Sequence, residues 1–170
     1  MTVLYTDPVF LRHETGRHPE NPNRLRSILR LFDEHGLTAR CAKGNFQPLA
    51  EAKLLEIHDA GVVQTAKKTC ETGGGYLDAD TIVSPESFQV ARAAAGAATA
   101  AVDAVLSGTD KNALCLLRPP GHHATPHRSM GFCLFNNIAL AAQHARKVHG
   151  LNRILIIDWE IGRASCRERV

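Results

Sequence analysis

A chain of 170 residues, 44% of them hydrophobic, is long enough to bury the core of one domain. Its formal charge of +3 is too mild to point to nucleic acid, and no basic stretch is interleaved with aromatic residues. No run approaches the roughly 18 apolar residues of a membrane span, and the start, Met1 to Asp7, lacks the charged and apolar regions of a leader, so no membrane partner is expected and the cytoplasm is the default location. Val3-Leu4-Tyr5 reads as a short first strand, and the proline-punctuated stretch from Asp7 to Pro22 reads as an ordered loop. Asn21 caps a helix that Pro22 opens, with Leu25, Ile28, Leu29 and Phe32 on one apolar face and Gly36 at its end. Ala39 to Ala42 is a weak second strand, and Pro48 to Ile57 and Ala60 to Thr72 are helical in composition. Gly73-Gly74-Gly75 breaks the second of these helices. With no Gly-Lys-Ser/Thr or Gly-x-Gly-x-x-Gly frame around it, the triplet reads as a flexible loop and not a phosphate cradle.

A loop from Tyr76 to Thr81 leads to Ser84-Pro85, which opens an alanine-rich helix reaching Leu106 and stopping at Ser107-Gly108. Ala113 to Leu117 is the third strand, apolar throughout, as expected of a strand covered on both faces. A last helix runs from about Leu134 to Val148, closed by Gly150, and Arg153 to Asp158 is a fourth strand. Strands alternating with helices imply crossovers and a parallel sheet in one α/β domain without repeats or linkers. The five cysteines (41, 70, 115, 133 and 166) include no Cys-x-x-Cys pair, which fits reduced thiols better than a disulfide frame or a thiolate zinc site.

The chemistry concentrates after the third strand, in Arg118-Pro119-Pro120-Gly121-His122-His123-Ala124 and then Gly131-Phe132-Cys133-Leu134-Phe135-Asn136-Asn137. Proline cannot continue a central strand, so His122 and His123 fall on a loop at the carboxyl end of a buried strand, where open α/β sheets hold their ligands. Two adjacent imidazoles can divide proton-transfer roles when their environments separate their pKa values. Taken without its flanks, a His-His pair is more simply two ordinary loop histidines.

Those flanks resemble the signature of the zinc-dependent histone deacetylase family, above all its bacterial class II-type members, which include acetylpolyamine amidohydrolases. The resemblance runs from about Tyr5 to Trp159, with His13-Glu-Thr-Gly16, His18-Pro-Glu20 and Arg24-Leu25 looking like the first rim loop. It implies an arginase/deacetylase-type parallel sheet flanked by helices and metal-assisted hydrolysis of acetylated amines, either acetyl-lysine or acetylpolyamine. By that resemblance His123 is the general base and later the acid for the leaving amine. His122 acts electrostatically, held by Asp158, and both stand beside a zinc-bound water of lowered pKa. A potassium ion is implied near Asp158. Gly131 and Phe132 fit a narrow channel that grips a methylene stem. Asp80, with Asp78 close behind, is the candidate for the carboxylate that hydrogen-bonds the substrate backbone, against the simpler explanation of a solvated turn aspartate. His13 and His18 are read as structural or rim residues, and Cys133 as either a site or a core residue.

Past Asp158 the family continues with a hydrophobic residue and then Asp-x-His-His-Gly, whose Asp and first His bind zinc; a second metal aspartate and a transition-state tyrosine follow much later. This chain reads Asp158-Trp159-Glu160-Ile161-Gly162-Arg-Ala-Ser-Cys-Arg-Glu-Arg-Val170. Glu160 stands where a zinc aspartate is implied, one methylene longer, without the histidine or second aspartate. A possible coding sequence for Glu160 to Val170 resembles a widely used short-read sequencing adapter, so residues 160–170 read as a non-native tail and residues 1–159 as the N-terminal part of the domain. The expectation is a fragment of about four strands with no metal ligand set, no appreciable catalysis, an open sheet edge and poor solubility. A non-catalytic binder of acylated amines on the same fold is the alternative, and an arginase-like dinuclear enzyme a distant third. Oligomeric state cannot be read from the sequence.

Overall fold

The computed structural model describes residues 1–160; what the sequence suggests for Ile161 to Val170 lies outside the described residues. Five strands are present among them: β1 (Thr2–Tyr5), β2 (Cys41–Lys43), β3 (Gly75–Asp78), β4 (Thr81–Val83) and β5 (Asn112–Cys115). The helices are α1 (Pro22–Glu34), α2 (Glu51–Leu54), α3 (Ala60–Glu71), α4 (Ser87–Leu106) and α5 (Asn137–His149). A parallel sheet in the order β2-β1-β5 forms the base, with β1 central and Val3 opposite Ala42 on one side and Ala113 on the other. No helix among the described residues is long and apolar enough to cross a membrane.

Helix α4 is the organising helix because it is apolar nearly all round. Phe88, Ala91 and Ala95 join Leu54, Val63, Val83, Leu134 and Phe135 in one core cluster. Val90, Ala93, Ala94, Ala97 and Ala101 join Val3, Tyr5, Phe10 and Leu25 in another. The two sets recur at three- and four-residue spacing on different faces of one helix. Tyr5 Oη donates to the Ala100 carbonyl at 3.0 Å and fastens β1 to α4.

The departures from the sequence reading each have a physical cause. The helix expected over Pro48 to Ile57 shrinks to α2, because Leu49 N donates to Arg92 O (2.9 Å) and Arg92 Nε donates to Leu49 O (2.8 Å), which holds the preceding segment against α4. The loop from Tyr76 to Thr81 is an antiparallel hairpin whose strands have four and three residues, too short to display alternation. Helix α5 starts at Asn137 and not at Leu134, since the Asn136 side chain accepts from Ala139 N and caps it there. Arg153 to Asp158 carry no regular secondary structure, and β5 is the edge of its sheet with β1 as its ladder partner. A strand is defined by its ladder, and this run is not paired with β5; Leu155 and Ile157 are 83% and 66% exposed. Nor is β5 covered on both faces, as Leu114 is 36% exposed.

Past the end of β5, Arg118 is buried and bonded on all sides. Its Nε and Nη2 donate to Glu20 Oε1 and Oε2 at 2.6 and 2.8 Å, Nη1 to the Phe10 carbonyl and Nη2 to the His13 carbonyl, both at 3.0 Å. His13, 1% exposed, sits against the same carboxylate (3.6 Å) and shares a 2.7 Å hydrogen bond with Ser87 Oγ at the start of α4. Burial is the main reason its pKa falls to about 4; Glu20 pulls the other way, and Arg118 and His18 add to the drop.

Two outcomes are expected. Gly96→Ala should destabilise the fold although alanine is the better helix former by about 1 kcal/mol, because the new Cβ would overlap the Gln47 carbonyl oxygen and lie 2.9 Å from Leu49 N. Urea unfolding should show a lowered midpoint, and an unchanged or raised one would mean that the 47–49 segment yields. The second concerns acid. Between pH 6.5 and about 4 the unfolded His13 ring binds a proton that the folded one does not, so stability falls as pH drops through that window, by about 3 kcal/mol in full. Unfolding free energies measured along this range should decline less steeply for His13→Gln than for the parent chain.

Candidate active site

The Pro-Pro-Gly turn after Arg118 delivers His122 and His123 side by side, their ring centroids 4.3 Å apart and inclined at 60°. His122 Nδ1 lies 3.2 Å from Asp158 Oδ2. Glu160 Oε2 is 2.9 Å from His123 Nε2 and 3.4 Å from His122 Nε2. Both rings face a pocket of about 780 Å³ whose walls include Gly131, Phe132, Met130, Asp80 and Arg24. The two imidazoles and the Glu160 carboxylate thus line one concavity, with Asp158 against Nδ1 of His122, although the chain segment that brings Asp158 to that ring is not a regular strand.

Gly131 makes the close approach possible. Its φ is +57°, and a Cβ there would fall 2.7 Å from His123 Cγ, so the bare backbone lies against the imidazole. Phe132 follows with φ +68°, a left-handed conformation that a bulky side chain adopts only when its surroundings impose it. The surroundings do so from several sides. Gly131 N donates to Asp80 Oδ1 (3.2 Å), Phe132 N donates to Thr81 Oγ1 (3.1 Å), and Met130 and Cys133 exchange backbone hydrogen bonds at 3.1 and 3.0 Å. The His18 ring meets the Phe132 ring edge-on, with centroids 4.5 Å apart.

Asp80, exposed at the tip of the β3–β4 hairpin, therefore engages the Gly131 N–H as well as lining the pocket. Asp78 is held differently. A 2.6 Å hydrogen bond from Arg128 Nη2, with a second from Ala79 N, keeps its carboxyl below the ordinary aspartate value. Cys133 is fully buried, and its Sγ donates to the Gly131 carbonyl, so it supports the wall from behind. Cys41, Cys70 and Cys115 are free thiols.

Sequence reasoning missed His58. It is 2% exposed, donates from Nδ1 to the Thr125 carbonyl (2.9 Å) and accepts from Asn136 N through Nε2 (2.9 Å). One ring thereby ties the two ends of the 124–136 loop, with burial as the main cause of its lowered pKa. A lone histidine after Ile57 gives no signal of this, because the partner atoms are backbone atoms some 70 residues away.

His122, His123 and Glu160 offer ligand atoms within 4.8 Å of one another, a spacing that a cation could bridge. Using both imidazoles as ligands, however, would remove the proton acceptors that hydrolysis needs, and would leave Glu160, 48% exposed, as the single carboxylate. The described residues do not by themselves fit the zinc site that the sequence resemblance implies.

Known proteins with the same features are numerous. A histone deacetylase-like amidohydrolase of Pseudomonas aeruginosa is 42% identical over 144 residues, covering 85% of this chain and 38% of that protein. A probable deacetylase of Methanothermobacter thermautotrophicus is 40% identical over 94% of this chain and 47% of its own length. Human polyamine deacetylase HDAC10 is 41% identical over 84% of this chain and 22% of its own. Among solved structures, the HDA15 HD domain superimposes with a TM-score of 0.82 at 32% identity, over 86% of this chain and 43% of that one. The chain spans less than half the length of each of these relatives. With the histone deacetylase domain matching residues 18–162, a parallel α/β sheet and a solved deacetylase domain superimposed on it, the chain belongs to the histone deacetylase family.

Proposed function

We propose that the chain is the N-terminal part of a zinc-dependent deacetylase domain that removes acetyl groups from lysine side chains or polyamines. On this reading residues 1–159 supply the proton-transfer groups and part of the channel wall, the metal ligands belong to sequence that this chain does not carry, and residues 160–170 are a non-native tail. The observation that carries it is the His122–Asp158 contact beside His123 in a pocket walled by Gly131 and Phe132.

The division of labour follows from the partners. With Asp158 accepting from Nδ1–H, His122 is held in one orientation and presents Nε2 to the pocket. That suits stabilisation of negative charge developing on the acetyl oxygen. His123 presents Nε2 to the same space and can take a proton from the attacking water and return it to the leaving amine. Phe132 offers an aromatic face to an unbranched methylene stem, and the aromatic ring of a narrow wall discriminates against branching. The relatives' names, deacetylase and polyamine deacetylase, agree with either amine class.

The uncovered apolar surface supports the partial-domain reading. A groove of about 540 Å³ lies between β5, α4, α5 and the 151–157 run, and Ile154, Leu155, Ile157 and Trp159 are 39%, 83%, 66% and 89% exposed. A contiguous apolar patch of this kind is characteristic of a face that another element covers.

The test is acetate release from an acetyl-lysine peptide and an acetylpolyamine, comparing this chain with the protein expressed from the coding sequence continued past Trp159. The continued protein should be active, lose activity to a chelator and regain it with zinc; the 170-residue chain should be silent. In the continued protein His123→Ala should lower kcat by about 10²–10⁴-fold. Activity indifferent to chelation, or a His123→Ala enzyme with full kcat, would end the proposal. Gly131→Ala offers a finer check. The added methyl displaces the His123 ring, so kcat should fall while the ordinary fold is retained by circular dichroism.

A further inference from the structure

Among the described residues, one other group of side chains outside the pocket brings metal-binding atoms together. Asp103 on α4 faces His144 and His149 on α5, with Oδ1 2.7 Å from His144 Nε2 and 2.6 Å from His149 Nε2. The three ligand atoms lie within 4.8 Å of one another. The two rings meet edge-on with centroids 5.7 Å apart. Both are mostly buried, at 20% and 24% side-chain exposure, while Asp103 is half exposed. The arrangement depends on how α5 ends. Gly150 turns the chain into the left-handed conformation immediately after His149, and its N–H returns to the Ala145 carbonyl. The last residue of the helix is thereby aimed at the same carboxylate as His144, one turn and a half earlier.

We propose that Asp103, His144 and His149 form a divalent-cation site, separate from the His122–His123 pocket, that takes zinc and staples the end of α5 to α4. Two neutral imidazoles and one carboxylate are a donor set suited to zinc, with a fourth position left to water. Zinc–nitrogen and zinc–oxygen bonds of about 2.0–2.2 Å put tetrahedral ligand atoms roughly 3.4 Å apart. The half-exposed carboxylate must therefore withdraw by about 0.7 Å from each ring nitrogen, which is within the reach of a side-chain rotation. In the metal-free arrangement each Nε2 carries the proton that bonds Asp103; cation binding requires each ring to move that proton to Nδ1, which exchange with water accomplishes without loss of charge balance. Exposure of the carboxylate gives the ion its entry path. The role is structural: the gain is a fixed angle between the two helices that flank the uncovered groove.

The test is zinc binding to the 170-residue chain near neutral pH, by competition with a chromophoric chelator. His122→Ala/His123→Ala isolates the new site from the pocket, and His144→Gln and His149→Gln are the probes. Glutamine still donates an N–H to Asp103, so these variants keep the helix tie and should fold, as circular dichroism would confirm. One zinc equivalent should survive in the His122/His123 double variant. Losing an outer-shell partner alone weakens metal sites on the order of 10–100-fold, so losing either histidine ligand should weaken binding by at least ~10-fold. Cobalt in place of zinc should give visible absorption without the near-ultraviolet thiolate band that cysteine ligands would add. Zinc should also raise the Tm of the double variant and leave that of His149→Gln unmoved. The proposal is overturned if no zinc binds, if binding vanishes with His122 and His123, or if the glutamine variants bind as the parent does.

Discussion

The buried pair of Arg118 and Glu20 is the constraint on which the architecture of the site depends. Both side chains are almost wholly withdrawn from water, at 4% and 1% exposure, and the contact is a bidentate fork with two further hydrogen bonds to carbonyls. Burying two charges is expensive, and the attraction repays it only when every donor is satisfied. Here the satisfied donors join four parts of the chain. Arg118 marks the end of β5 and the beginning of the histidine loop; Phe10 and His13 belong to the first loop; Glu20 stands at the entry to α1. His13 then extends the network to Ser87 and the start of α4. A planar guanidinium held by four hydrogen bonds permits one orientation, so the chain leaves β5 along a single path.

From that fixed departure the loop is held at its far end by packing. Leu134 and Phe135 are fully buried in the cluster that includes Phe88 of α4, and the Phe135 ring contacts both Phe88 and His58. His58 joins the loop's two ends through backbone atoms. The histidine pair thus hangs between an ion-pair anchor and a core anchor, with the Gly131–Phe132 turn pressed against it. This is how a loop is held in place without belonging to a helix or a strand.

How much of this was legible in the sequence depends on the range of the interaction. The parallel sheet, α1 with its Asn21 cap, α4 and the Gly150 stop were readable because periodicity and capping are local signals. The position of His122 and His123 on a loop at a strand end was readable because proline forbids the alternative. What failed was set by distant partners. Leu49 is held by Arg92, the short β3–β4 hairpin exists by pairing with itself and by its bonds to residues 131 and 132, and Arg153 to Asp158 have the composition of a strand but carry no regular secondary structure. Arg118 was quoted as part of a motif, but nothing around it in sequence reveals that Glu20, 98 residues away, is its partner.

The same reasoning bears on how two identical side chains come to differ. The motif supplies two imidazoles in succession and says nothing of their inequality. Inequality arises from what stands behind each ring. His122 has a carboxylate at Nδ1, from a segment that reaches it across 36 residues, whereas His123 has the flat backbone of Gly131 against its ring. The first contact orients the His122 ring and the second fixes where the His123 ring lies, while Glu160 Oε2 reaches Nε2 of both, at 3.4 and 2.9 Å. The placement of the two rings is therefore set by the Asp158 segment and the Gly131 turn together, each holding one ring where the other has no purchase.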